Sequence, residues 1–120
     1  MQIQEFFKKF FASVDSLNVL AVSESFTENG TFQFGNNPTV TGRAAIKEFV
    51  SGFFSAIGGI SHDIRGCWTV GDRAFCEGLV TYVRKDRSNL TVPWAIVSRF
   101  EQGKLAEYKT YVDASKLFTP

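Results

Sequence analysis

Four side chains of this sequence could move protons or polarise a substrate. His62 is the single histidine, and imidazole is well suited to proton transfer near neutral pH. Asp15 is its candidate partner, because a carboxylate that accepts a hydrogen bond from imidazole fixes the ring tautomer. Glu77 and Tyr108 are candidates for the opposite end of a ligand. The competing explanations are structural: a hydrogen-bonded strand histidine, an exposed helix end at Asp15, and a carboxylate at a sheet edge or in a structural network.

Metal and cofactor chemistry is not expected. The two cysteines, Cys67 and Cys76, lack CxxC spacing, and with one histidine they cannot complete a Cys/His zinc site. We expect both to be free thiols, although a cross-strand disulfide is geometrically conceivable.

Composition also disfavours two classes of partner. Thirteen Lys and Arg residues against twelve Asp and Glu give a net charge of +1, which does not favour binding to nucleic acid. No apolar stretch approaches the roughly 20 residues of a membrane helix, and the N-terminus lacks the pattern of a signal peptide. We therefore expect a cytoplasmic protein with a single domain over residues 1–120.

The first half of the chain has helical periodicity. Apolar residues recur at helical spacing over residues 3–14 and again over Arg43–Ile57. A shorter helix is expected over Val19–Phe26, and Thr31–Phe34 has the composition of a short strand. These segments predict three helices, each with an apolar face.

The second half has the composition of strands. Four segments rich in β-branched and aromatic residues are separated by short polar turns: Ile60–Val70, Arg73–Lys85, Leu90–Glu101 and Lys104–Val112. They predict a four-stranded antiparallel meander, which together with the helices makes an α+β fold.

Turn lengths predict the register of this meander. A two-residue turn at positions 71–72 places His62 opposite Thr81. A four-residue loop at 86–89 places Ser98 opposite Glu77, and a three-residue loop at 102–104 places Ser98 opposite Tyr108. The strand face that results is mostly apolar, so we expect it to face the helices and a ligand. Its ligand-binding candidates are Phe75, Leu79, Thr81, Trp94, Ile96, Ser98 and Thr110.

The opposite strand face is more apolar than a solvated surface should be. It is expected to carry the cysteine pair and, in addition, Val80, Tyr82, Ala95, Val97 and Tyr111. A homodimer packed through this outer face would explain its composition.

Four segments carry a resemblance to a known family. They are SFTENGTFQFG before a turn, TGRAAIKEFVSGFF as the third helix, TVGDRAFCEG as a hairpin, and FEQGKLAEYKTYVD at the end. In order and spacing the chain resembles the SnoaL-like polyketide cyclase group of the nuclear transport factor 2-like superfamily. The resemblance implies a cone-shaped curved antiparallel sheet, with four long strands and short N-terminal strand elements, wrapped around three N-terminal helices and an internal pocket.

Two enzyme types of that superfamily lack their catalytic residues here. Ketosteroid isomerases place a general-base aspartate where this chain has Phe34 and an oxyanion-hole acid where it has Ile96. Limonene epoxide hydrolases use an Arg/Asp pair where it has Leu79 and Thr81. Neither chemistry is implied by the resemblance.

Scytalone dehydratases are more similar at two points. The segment ISHDIRG resembles the strand that bears their catalytic histidine, and VDSLNV resembles a helix end that bears an aspartate. Carried over, these residues are His62 and Asp15. Their pocket tyrosine aligns with Phe34, which joins the ligand-binding candidates.

Three functions are therefore open. The first is a cofactor-independent enzyme of isomerase, cyclase, dehydratase or hydrolase type that uses acid/base chemistry on a small apolar oxygenated metabolite. The second is a module that binds a small molecule in the same pocket without chemistry. The third is a dimeric interaction or scaffold domain.

Overall fold

The computed structural model describes residues 2–118 and contains three helices and six strands in one sheet. In chain order the elements are α1 (Ile3–Asp15), α2 (Val19–Glu24), β1 (Phe26–Phe34), β2 (Val40–Thr41), α3 (Arg43–Ser55), β3 (Gly59–Val70), β4 (Arg73–Val83), β5 (Asn89–Glu101) and β6 (Lys104–Val112). The α+β class and the three helices are confirmed.

The helices form where their apolar residues recur on one side. Helix α1 buries Phe7, Phe10 and Phe11 on the side that faces the sheet. Helix α2 begins after Asn18, whose side chain accepts a hydrogen bond from the backbone N–H of Ala21 at 3.1 Å. It is shorter than expected, because the chain enters β1 directly after its C-cap residue.

The sheet is curved and not closed, with the strand order β2-β1-β6-β5-β4-β3. Strands β3 to β6 form the predicted antiparallel meander. Strand β1 is longer than expected and pairs in parallel with β6, for example Phe32 with Tyr108. This leaves β3 at one edge of the sheet, next to α1.

The register between β3 and β4 is correct only near the turn. Trp68 lies opposite Phe75 as predicted, but a bulge between Ile64 and Gly66 shifts the remaining pairs by one residue. His62 therefore lies opposite Val80 and not opposite Thr81. A side chain at Gly78 would collide with the backbone of the bulge, since its Cβ would come 2.0 Å from the carbonyl oxygen of Asp63.

The register predicted between β4 and β5 is wrong. The connecting loop runs from Arg84 to Ser88, where the two end residues join by a 2.8 Å backbone hydrogen bond, and Arg87 in it adopts a φ of 75°. The pairing moves by three residues, so Ser98 lies opposite Ala74 and Glu77 lies opposite Ala95. Because three is odd, the face assignment of β4 is inverted.

The inverted strand changes which side chains face the helices. The inner face of β4 carries Ala74, Cys76, Val80 and Tyr82, all buried. The outer face carries Phe75, Glu77, Leu79 and Thr81, which were expected inside. Cys67 and Cys76 face inward as well, and the expectation that they belong to the outer face is wrong.

The register between β5 and β6 is correct over most of its length. Gln102 and Gly103 form a two-residue turn with φ angles of 52° and 79°. Next to this turn a bulge shifts the pairing of β5 and β6 by one residue, between Arg99 and Phe100. Ser98 then lies opposite Tyr108, as the predicted three-residue loop also requires, because the bulge supplies the missing residue.

The outer sheet face has a partly apolar surface. Ala95, Val97 and Tyr111 lie on it as expected, whereas Val80 and Tyr82 are buried inside. Tyr111 and Trp68 are each 56% exposed. No helix described between residues 2 and 118 is both long and apolar enough to cross a membrane.

Candidate functional site

His62 and Asp15 are in direct contact at the edge of the sheet. His62 Nδ1 lies 2.6 Å from Asp15 Oδ1, and the His62 backbone N–H donates to Asp15 Oδ2 at 3.0 Å. Asp15 is the last residue of α1, and this helix packs along β3, which carries the histidine. Both carboxylate oxygens thus accept hydrogen bonds from one residue 47 positions away, which fixes the orientation of the imidazole.

The contact with Asp15 occupies one ring nitrogen of His62 and leaves the other, Nε2, outside that contact. An ionised carboxylate only accepts hydrogen bonds, so Nδ1 carries the proton and the neutral ring has a lone pair on Nε2. Within residues 2–118 Nε2 has no hydrogen-bond partner, yet no fully buried side-chain nitrogen or oxygen there lacks one. Nε2 must therefore border open space.

Aromatic rings hold the imidazole in place. The rings of Phe11 and Trp94 have centroids 4.6 Å and 5.0 Å from that of His62. The His62 side chain is 6% exposed, whereas that of Asp15 is 29% exposed. The Asp15 carboxylate is therefore in contact with water, and the imidazole of His62 lies between the carboxylate and the protein interior.

A cavity of about 60 Å³ borders the imidazole. A water molecule needs roughly 10–15 Å³ by this measure, so the space admits a few water molecules or part of a compact organic molecule. Its walls are almost all apolar or aromatic, and His62 is the histidine among them. The lining residues are Phe10, Phe11, Val14, Val22, Phe32, Phe34, Phe49, Val50, Phe53, Phe54, Ile60, His62, Tyr82, Trp94, Tyr108 and Thr110.

Three residues that line the cavity carry hydroxyl groups, namely Tyr82, Tyr108 and Thr110. Burial raises the pKa of the Tyr108 hydroxyl above its usual range, and the adjacent Thr110 hydroxyl partly offsets this effect. Burial likewise raises the pKa of Tyr82. Both phenols are therefore neutral near pH 7 and can donate a hydrogen bond, but they cannot act as bases.

The structure brings together part of the predicted set. Five of the predicted residues line the cavity: Phe34, His62, Trp94, Tyr108 and Thr110. Asp15 does not line it but contacts His62. Glu77 is exposed on the outer face, so it cannot act with Tyr108 inside.

Two further candidates are buried without lining the cavity. Ser98 is fully buried and donates to the carbonyl oxygen of Ala74 at 2.9 Å, which satisfies its hydroxyl within the sheet. Ile96 is a buried core residue beside Thr110.

Several lining residues were not predicted. Tyr82 was missed because the register of β4 was inverted. Phe10, Phe11 and Phe53 were recognised as apolar helix residues but not as cavity walls, although their positions on the inner stripes of α1 and α3 carried that signal. Among the residues the structure describes, no group of three or more His, Cys, Asp or Glu side chains could hold a metal ion.

Two surface clefts share lining residues with the cavity. A groove of about 570 Å³ between α1 and β3 is lined by Lys8, Asp15 and Arg65, and it shares His62 and Phe11 with the cavity. The second cleft, of about 460 Å³, lies beside residues 112–118.

The second cleft is formed by the C-terminal segment. It shares Phe34 and Phe53 with the cavity. Arg84 fixes this segment, because its guanidinium donates to the carbonyl oxygens of Leu117 at 3.0 Å and Lys116 at 2.8 Å.

The fold agrees with that of similar proteins. The profile of the SnoaL-like domain matches residues 7–108. The chain belongs to the SnoaL-like domain family. This confirms the resemblance seen in the sequence, whereas a search of curated proteins found no match.

Three solved structures illustrate the range of SnoaL-like and related proteins with this fold. A protein of ketosteroid isomerase-like fold from Catenulispora acidiphila, in complex with trimethylamine, is 21% identical with a TM-score of 0.86, over 94% of this chain and 88% of that one. SalBIII, an epoxide hydrolase/cyclase-like enzyme of pyran ring formation in salinomycin, is 18% identical with a TM-score of 0.80, over 93% and 91%. TerC, co-crystallised with polyporic acid, is 18% identical with a TM-score of 0.81, over 92% and 91%. At these identities the similarity establishes the fold, not a shared activity.

Proposed function

We propose that this SnoaL-like chain binds a compact, apolar, oxygenated molecule in its cavity and exchanges a proton with it through His62. The observation that carries the proposal is the His62 ring at the wall of an apolar cavity, with Asp15 Oδ1 2.6 Å from its Nδ1, which leaves Nε2 as the nitrogen that can take a proton. An Asp15 carboxylate stabilises the imidazolium that forms when Nε2 takes a proton. Asp15 touches His62 and not the cavity, so it is a positioning residue.

Tyr108 supplies the hydrogen-bond donor that acid/base chemistry needs in addition to a base. It is a neutral phenol in the same cavity. When His62 takes a proton from a carbon next to a carbonyl group, the electron pair moves to the carbonyl oxygen, and a hydrogen bond from the phenol stabilises the negative charge there. Return of the proton from Nε2 to carbon completes an isomerisation or an exchange.

The test uses a small cyclic ketone. Cyclopentanone in D₂O exchanges the protons next to its carbonyl, and ¹H NMR follows the loss of their signal. We expect the wild-type chain to accelerate this exchange, and His62→Gln and Tyr108→Phe to slow it. Equal rates for the wild type and His62→Gln would overturn the proposal. The exposed Glu77→Gln serves as the matched control and leaves the rate unchanged.

A second candidate function is binding without chemistry. The small volume of the cavity and its aromatic walls favour it, since aromatic faces attract compact organic cations. The similar protein from Catenulispora acidiphila holds trimethylamine, which is a molecule of suitable size. Titration with trimethylammonium chloride and with neutral tert-butanol, followed by NMR, tests both the site and the preference for charge. Under this candidate His62→Gln changes affinity alone, and cyclopentanone is recovered without exchange.

A homodimer through the outer sheet face belongs to the same proposal. Trp68 and Tyr111 are largely exposed there, beside the half-buried Phe75 and Val97. Sedimentation velocity should show a dimer for the wild type and a monomer for Val97→Glu, while Lys85→Glu in the β4–β5 loop remains dimeric. A wild-type monomer at micromolar concentration would contradict the dimer. We also propose a cytoplasmic location.

A further inference from the structure

Two cysteines face each other across the hairpin that forms the free edge of the sheet. Cys67 in β3 is the register partner of Cys76 in β4, and their sulfur atoms lie 2.6 Å apart. Both are free thiols. The acid/base site does not use either of them.

Strand geometry places this pair at a position that suits a covalent bond. Val70 and Arg73 close the two-residue turn, and pairs alternate from there between hydrogen-bonded and non-hydrogen-bonded types. Three steps on, Cys67 and Cys76 form a non-hydrogen-bonded pair, for which the Cα atoms are about 4.5 Å apart. Disulfides span Cα distances of about 4.4–6.8 Å. A bond between the two sulfurs therefore requires no movement of either strand.

The two thiols differ in how reagents reach them. Cys67 is half-buried and lines the groove between α1 and β3, together with Lys8 and Arg65. Cys76 is 1% exposed, and its burial raises the pKa of its thiol. A reagent in solution thus meets Cys67 first, and Cys76 is reached only through Cys67.

We propose that Cys67 and Cys76 form a reversible cross-strand disulfide by exchange with a low-molecular-weight disulfide. The Cys67 thiol loses its proton to water and its sulfur attacks one sulfur of the small disulfide, so the S–S bond of the reagent breaks and one small thiol leaves. Cys76 then loses its proton and attacks the Cys67 sulfur, and the second small thiol leaves. Two protein thiols are oxidised and one small disulfide is reduced to two thiols.

The disulfide would hold β3, the edge strand that carries His62, against β4. Strand β3 has a sheet partner on one side only, namely β4, and the bulge between Ile64 and Gly66 interrupts that pairing. A disulfide beside the bulge joins the two strands covalently and limits opening of the hairpin. This effect does not depend on whether the cavity binds or converts a ligand.

The experiment equilibrates the full chain with glutathione and glutathione disulfide, followed by acid quench and intact mass spectrometry. The wild type should lose two hydrogen masses and resist alkylation at both cysteines. Cys76→Ser should retain one glutathione on Cys67, because the second step is lost, whereas Cys67→Ser should stay unmodified. Hydrogen exchange of the oxidised wild type should be slower than that of the reduced form at the β3 amides.

Three results would overturn the proposal: a wild type that keeps glutathione on Cys67, one that stays fully reduced under oxidising glutathione, or one whose disulfide joins two chains. Peptide mapping of the wild type alone distinguishes these results, so the outcome does not depend on the serine variants being folded. The same reaction in urea is the control, because loss of the hairpin should remove the preference for the intramolecular bond.

Discussion

The cavity has two walls with different chemistry. The edge wall consists of His62, backed by Asp15, and lies where the sheet ends and water reaches the carboxylate. The central wall, on β5 and β6, offers only the neutral hydroxyls of Tyr108 and Thr110 beside aromatic rings. The Asp15 carboxylate thus lies at the edge, where water reaches it, and the cost of burying a charged group is avoided.

The largest effect is expected at the central wall, from Tyr108→Ala. The Tyr108 ring lies within 6 Å of the rings of Phe10, Phe26 and Phe32, and its loss leaves a cavity in the core. Unfolding in urea should show a loss of about 3–5 kcal/mol in the free energy of unfolding.

Tyr108→Phe is the matched control for this prediction. It retains the ring and should cost about 0.5–1.5 kcal/mol, since only the contact between hydroxyl groups is removed. If it cost as much as Tyr108→Ala, the hydroxyl would have a structural role that the central wall does not explain.

A smaller effect is expected at the edge wall, from Asp15→Ala. The variant leaves two donors of His62 without an acceptor, its backbone N–H and Nδ1–H. It should lose about 1–3 kcal/mol in the free energy of unfolding, measured by urea denaturation.

Asp63→Ala tests whether this loss comes from the specific contact. Asp63 lines the same groove but forms an exposed pair with Arg65, so its removal should change stability by less than about 0.5 kcal/mol. Equal effects of the two substitutions would mean that general charge in the groove, and not the bond to His62, stabilises the edge wall.

The smallest effects are expected from one substitution on each face of the sheet, Ser98→Ala on the inner face and Glu77→Ala on the outer face. Ser98→Ala removes a buried hydrogen bond to the backbone of Ala74 and should cost about 1 kcal/mol. Glu77→Ala on the outer face should lie within about 0.5 kcal/mol of the wild type in the same denaturation experiment. A larger loss in the free energy of unfolding for Glu77→Ala would support the inward orientation of Glu77 that the structure contradicts.

Much of the edge wall could be predicted from the sequence. Helix α1 has to cover the open side of the sheet, so the end of its apolar stripe falls near the start of the strand with His62. The contact with Asp15 follows from this crossing. Part of the central wall could be predicted as well: Trp94 lies on the predicted face of β5, and Tyr108 and Thr110 of β6 keep the register that the predicted three-residue loop at 102–104 requires.

The errors have local causes that composition does not reveal. One bulge displaced His62 by a single pair, and a loop from Arg84 to Ser88 in place of the predicted 86–89 inverted β4. That inversion moved Glu77 outward and hid Tyr82, because side chains alternate between faces at every residue. Loop conformation, here a residue with positive φ at Arg87, sets such a register, and several loop lengths fit the same polar segment.

The most direct test of the edge wall is the tautomer of His62, read from long-range ¹H–¹⁵N correlations of the imidazole ring. The neutral ring should carry its proton on Nδ1 and none on Nε2, and the Nε2 resonance should shift when cyclopentanone occupies the cavity. Asp15→Asn should reverse the tautomer, because the amide can donate to Nδ1. A wild-type ring protonated on Nε2, with a resonance unchanged by cyclopentanone, would contradict the account of His62 as the proton-exchanging group.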